Sequence, residues 1–203
     1  MCYIAPMAKR ASLLIAILAL GATACGTTLV PLHYQAVNAP ARSGPDTPLV
    51  SVGTFQDARD ADYGTDWLGA IRGGYGNRLK TLRTEKPMQE VVQDAFADGL
   101  RARGIFAEPG EGKFALEGTI EKLDCSEYFN LEAHAHVSVR VTEAATHALL
   151  YTSTFRADQT EGGMGAGIFG SVETLRVLAE RTLRELVDKA LDDPALRKAL
   201  QSP

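Results

Sequence analysis

Leu131-Glu-Ala-His-Ala-His-Val-Ser-Val-Arg-Val141 decides the fold. In an extended chain successive side chains alternate between faces. Leu131, Ala133, Ala135, Val137, Val139 and Val141 therefore share one face, and Glu132, His134, His136, Ser138 and Arg140 share the other. One dry and one wet face describe a strand in an antiparallel sheet covered on one side. Working outward, Glu143 to His147 supplies a hairpin turn into a second strand, Leu149 to Ala157. Upstream, Phe114 to Leu123 follows the Pro109–Gly112 turn as a third strand.

The covering layer is legible as two amphipathic helices. Met88, Val91, Val92, Ala95, Phe96 and Leu100 recur at the i, i+3, i+4 spacing that puts apolar groups on one helix face. Pro87 suits the first turn of that helix and Gly104 the left-handed position that ends it. Ser171 caps a longer helix whose Leu175, Leu178, Ala179, Leu186 and Ala190 face inward. Asp193-Pro194 opens a short final helix. Leu49 to Phe55 reads as the first strand, Arg78 to Arg83 as a short one, and Ile105 to Ala107 as the start of another. Tyr63 to Asn77, rich in glycine, reads as irregular with Trp67, Leu68 and Ile71 as anchors. The expected fold is α+β: a two-layer sandwich with an antiparallel, or mixed, sheet of about four to five strands and two long helices packed on one face.

The N-terminus carries an address. The basic pair Lys9-Arg10 precedes the apolar run 11–20, then the small-residue stretch Gly21-Ala-Thr-Ala24, then Cys25. That order describes a secretory signal. A membrane span needs about 20 apolar residues for roughly 30 Å of hydrocarbon, and this run is half that. Ala22-Thr-Ala24 fits the A-x-A site of an ordinary secreted protein, while a cysteine directly after it resembles the lipobox of bacterial lipoproteins. That resemblance implies acylation of Cys25 and anchoring by the lipid. Met7 places Met-Ala-Lys-Arg directly before the apolar core, so either Met1 or Met7 can start the chain. The expected organisation is a signal peptide over 1–24, an acylated Cys25 with a flexible proline-containing tether over 25–48, and one domain over 49–203.

Without the signal, 19 Lys+Arg stand against 25 Asp+Glu. An acidic chain with no basic stripe is not a nucleic-acid binder. Of Cys2, Cys25 and Cys125, only Cys125 remains for a role inside the domain, so no disulfide framework is expected, and Cys125 reads as a buried small apolar residue.

Catalytic motifs are scarce. Gly165-Ala-Gly167-Ile-Phe-Gly170 matches G-x-G-x-x-G, but only helix follows it, where a dinucleotide site needs a further strand with an acidic residue. His134 and His136 share a face with Glu132, yet no third and fourth metal ligand is apparent, and no metal or cofactor is expected. Asp57, Arg59, Asp60 and Asp62 cluster after the first strand without EF-hand spacing; Asp57 and Arg59 read as structural turn anchors. The chain is not expected to be an enzyme. Trp67, Met164 and Phe169 are the expected partner or ligand contacts.

Phe55-Gln-Asp57-Ala-Arg59, Leu100-Arg-Ala-Arg-Gly104-Ile-Phe, Phe114-Ala-Leu-Glu-Gly118-Thr-Ile and the lipobox-like Ala22 to Cys25 together resemble the YajG-like lipoproteins of the Gram-negative envelope. A similar pattern occurs in auxiliary lipoproteins of ABC-type lipid transport systems. The resemblance spans roughly residues 49–192 and departs from the pattern at 63–77 and 162–170. It implies a non-enzymatic binding or assembly module on the periplasmic face of the outer membrane, to which Gly26, rather than Asp, after the acylated cysteine would route it. The alternative it implies is a lipid or small-ligand carrier serving an envelope transporter. The implied partners are the membrane, through the N-terminal acyl chains, and an envelope protein or lipid.

Overall fold

The computed structural model describes residues 26–37, 49–60, 64–162 and 171–201. Its centre is the meander around residues 131–141. The strands are β5 (Phe114–Glu127), β6 (Leu131–Glu143) and β7 (Leu149–Glu161), paired antiparallel. Along β6 the six apolar residues from Leu131 to Val141 are all buried, and their alternating neighbours are at least partly exposed.

The sheet continues well beyond the meander. Four more strands join it: β1 (Gly26–Val30), β2 (Val50–Asp57), β3 (Trp67–Arg72) and β4 (Arg78–Thr84). The order is β1-β4-β3-β5-β6-β7, with β2 also on β5. β1 lies parallel to β4, and β2 and β3 both lie parallel to β5. The described residues form the helices α1 (Met88–Ala102), α2 (Val172–Leu191) and α3 (Pro194–Ala199), of 15, 20 and 6 residues. The expected two-layer sandwich of four to five strands is therefore wrong: the described residues form a seven-stranded mixed sheet with three helices, richer in sheet than anticipated.

Three segments account for the difference. β1 sits in the stretch expected to be a flexible tether. Leu32 and Tyr34 just beyond it are buried, so residues 26–37 belong to the folded body. Residues 1–25 and 38–48 lie outside the described residues. β3 runs through the glycine-rich stretch expected to be irregular. Ile105 to Ala107 contributes a single bridge, Val50 to Phe106, instead of a strand. β1 owes its place to a parallel partner far along the chain and leaves no local period to read; β3 pairs antiparallel with the adjacent β4, but Gly69 and two register shifts interrupt its alternation.

The helices form as expected. Every predicted inward residue of α1 and α2 is buried, and Ser171 accepts from the Thr174 amide at 3.1 Å. Gly104 adopts φ 69°, a left-handed conformation that a side chain would resist. α2 packs on β5, β6 and β7, α1 packs on β2, and the two helices touch. Asp193 caps α3 through the amides of Ala195 and Leu196.

One polar cluster lies inside this layer. The Arg103 side chain is wholly buried. It donates to Asp192 (Nη2 to Oδ2, 2.6 Å), to Asp188 (3.0 Å), to the Gly99 carbonyl (3.0 Å) and to the Tyr34 hydroxyl (3.3 Å). Tyr34 in turn donates to Asp188 at 2.7 Å, and burial together with that carboxylate pushes its phenol up to about 12. The cluster ties the segment after β1 to the C-terminal ends of both helices. Removing Arg103 takes the donor from four partners and leaves Asp188 and Asp192, each partly exposed, without their cation, a loss of about 1.5–3 kcal/mol. Arg103→Ala should lower unfolding stability by that order in urea melts, with Tyr34→Phe losing much less.

Candidate functional site

β5 has one partner strand along one edge and two along the other. β2 pairs with its first half, Phe114 to Ile120, and β3 with its last residues, Cys125 to Glu127. Between them the edge of β5 has no strand, and a bulge falls there between Ile120 and Lys122. Arg59 occupies the split. Its Nη1 donates to the carbonyls of Leu123 (2.9 Å) and Trp67 (2.8 Å), and its Nη2 to that of Thr65 (3.2 Å). Nε and Nη2 form a two-pronged pair with Asp57, both contacts at 2.8 Å. Only a planar guanidinium has enough fixed donors to serve three carbonyls and a carboxylate at once. Burial pushes the Asp57 carboxyl up, but the bonds and charge of Arg59 outweigh it and hold the group below its ordinary value.

Gly69 makes the close approach of β3 possible. A Cβ there would lie 2.0 Å from the Cys125 carbonyl oxygen, a backbone atom that cannot yield cheaply.

A cleft of about 450 Å³ opens at the split on the polar face of the sheet. Arg59, Asp60, Trp67, Lys122, Asp124 and His134 are among its lining residues. Burial raises the Asp124 carboxyl above its ordinary value, against the opposing charges of Lys122 and His134. Cys125 borders the cleft but is fully buried, and burial pushes its thiol far up, so it has none of the thiolate character a nucleophile needs.

Beyond the cleft, the register sets Asp158 of β7 directly opposite His134. His134 Nδ1 lies 2.6 Å and His136 Nε2 2.9 Å from the same Asp158 Oδ1. Two imidazole nitrogens and a carboxylate oxygen, all within 4.8 Å, are a donor set that zinc accepts. No fourth His, Cys, Asp or Glu joins them within that distance among the described residues. Lys122 and Arg156, the register partners of His136 on either side, add two cations to the same face. In this structure the three side chains are joined by hydrogen bonds through one carboxylate oxygen. Burial pushes the Asp158 carboxyl up, and the two histidines more than offset it, holding it below its ordinary value.

The structure thus joins Asp57 to Arg59 and sets Trp67 at the cleft. Cys25, Met164, Phe169, Asp62 and the glycine motif 165–170 lie outside the described residues. Asp124 and Asp158 escaped the sequence reading. Each is an acid on the polar side of a strand, and only the strand register brings it to His134.

No protein-family model and no curated protein matches the chain. Solved structures do. A Xanthomonas campestris protein of the DUF330 family model aligns over 86% of this chain and 100% of its own, at TM-score 0.62 and 10% identity, which establishes a shared fold. Weaker similarities include PelC of Paraburkholderia phytofirmans, solved as a dodecamer (75% of this chain, 93% of that one, TM-score 0.41, 12% identity). Another is the lipoprotein GNA1162 of Neisseria meningitidis (70% and 99%, TM-score 0.30, 9% identity). None of the three carries the name of an enzyme. No described helix is long and apolar enough to cross a membrane.

Two outcomes test the split. Arg59→Lys loses the fork and most of its carbonyl bonds, and should cost about 1–3 kcal/mol in urea melts. The Asp57 carboxyl has a lower pKa folded than unfolded. Its contribution is complete above the unfolded value of about 3.9 and is lost as pH falls through the folded one. Asp57→Asn should therefore be less stable than wild type at neutral pH, with the gap narrowing below about pH 4. An unchanged gap at acid pH would show that the pair is not the source of the effect.

Proposed function

We propose that the chain is a lipid-anchored lipoprotein on the periplasmic face of the outer membrane, where its domain acts as a non-enzymatic binding or assembly module. The observation that carries this reading is the continuity of basic pair, apolar run and Cys25 with a folded domain whose first strand begins at Gly26. Gly26 in place of Asp supports the outer membrane by resemblance to lipoprotein sorting. The polar groups with chemical potential are already engaged: Arg59 with Asp57 and three carbonyls, His134 and His136 with Asp158. That supports a surface that binds over a centre that reacts.

The second reading, a carrier, draws on the cleft. The space between helices and sheet is filled: Phe96, Leu100, Val137 and Leu183 are wholly buried there. An apolar chain has no room in that layer. The cleft at the split is lined by charges of both signs, so it suits a small polar ligand better than a lipid tail. Native mass spectrometry of the purified protein separates the readings: a recurrent bound small molecule favours the carrier, and crosslinked envelope proteins favour the module.

Cys25→Ser should move the protein from the membrane fraction to the soluble periplasm. Its urea midpoint should stay unchanged, because the neighbouring Gly26 is exposed, with nothing within 4 Å of where a Cβ would stand. Retention of the variant in membranes would overturn the lipoprotein reading.

A further inference from the structure

We propose that the end of the sheet bearing the β3–β4 and β5–β6 turns is a docking surface for the bilayer interface, entered by Tyr75, Tyr128 and Phe129. The inference rests on acylation of Cys25 and adds an orientation to it.

The strand directions place these features together. Gly26 pairs with Lys80, near the start of β4, and β4 begins just after the β3–β4 turn. Gly26 therefore lies at the turn end of the sheet, and Cys25 is the residue bonded to its amide. β3 and β5 run parallel, which brings the β5–β6 turn to the same end. The Tyr128 hydroxyl donates to the Gly74 carbonyl at 3.1 Å, so one turn braces the other.

This end exposes aromatic surface that the fold does not use. Tyr75 is fully exposed (101%), Phe129 is 69% exposed and Tyr128 36%. The rings of Tyr128 and Phe129 pack at 4.0 Å between centroids. Amphipathic aromatics favour the headgroup level of a membrane, where one end of the ring is dry and the other wet. Residues 72–80 also carry Arg72, Arg78 and Lys80 and no acid, within a chain whose net charge is negative. The cations of this turn suit anionic lipid headgroups, while the acids at this end are Glu127, which is buried, Glu132, and Glu161, which is paired with Arg181. From Lys80, the partner of Gly26, to Tyr75 at the tip of the β3–β4 turn is five residues, a reach of at most about 16 Å. Acyl chains entering the bilayer at Cys25 would therefore carry the turn tips to the interface without any spacer.

The test uses the full acylated protein in vesicles of phosphatidylethanolamine and phosphatidylglycerol, read by amide hydrogen exchange. Amides in 73–77 and 128–130 should exchange about tenfold more slowly than in the unanchored Cys25→Ser protein without lipid. Tyr75→Ser combined with Phe129→Ser changes only exposed side chains and should abolish that protection while the protein stays acylated. Mass analysis of the Cys25 peptide separates the two readings. Acylated protein with unprotected turns overturns the docking surface and leaves the lipoprotein standing; unmodified Cys25 overturns both. Protection that appears without lipid as protein concentration rises would mean that a second copy covers this end, and would also overturn the proposal.

Discussion

Arg59 closes a gap that the backbone cannot. A strand edge must pair its amides and carbonyls or leave them to solvent. β5 is too long for either β2 or β3 to cover, and the two strands enter from separate parts of the chain. One guanidinium takes the carbonyls of Leu123, Trp67 and Thr65, while Asp57 neutralises it and holds its plane. Both halves of the sheet therefore share one polar pin. The cleft exists because a side chain, which is thinner than a strand, fills the split. Its location and its charged lining follow from the same geometry.

Arg103 serves a matching role in the helical layer. It sits at the end of α1, reaches Asp188 and Asp192 of α2 and its following turn, and is contacted by Tyr34 from the segment after β1. Gly99 lets the helices approach at that point; a Cβ there would lie 2.7 Å from Leu191. One polar node thus registers the sheet and another registers the helices against the N-terminal segment. The apolar groups around them supply most of the driving force but little directional information.

Legibility followed locality. The meander and both long helices were readable because their periods of two and 3.6 are complete within about a dozen residues. β1 and β3 were not. Gly26-Thr-Thr-Leu-Val30 is short, sits beside prolines, and owes its structure to β4 some fifty residues on. Trp67 to Arg72 contains Gly69, which reads as a breaker but serves as the point of closest contact with β5. Within the site, Asp57 and Arg59 were visible as a pair two residues apart, though not their carbonyl partners. Asp124 and Asp158 became partners of His134 only through the register on either side of β6. Local chemistry could be read from the sequence; its convergence depended on the sheet.

The parallel pairing of β1 and β4 also has a mechanical side. Five register pairs join the two strands, from Gly26 and Lys80 to Val30 and Thr84. A pull applied to the chain on the N-terminal side of Gly26 runs along the strand axis. It would have to slide β1 past β4, loading the evenly spaced bonds of a parallel pair together rather than peeling them one at a time. Next in line behind β1 come buried Leu32 and the Tyr34 hydroxyl held by Asp188. Tension on this terminus is thus borne in shear by the sheet edge and then passed to the helical layer, away from the cleft.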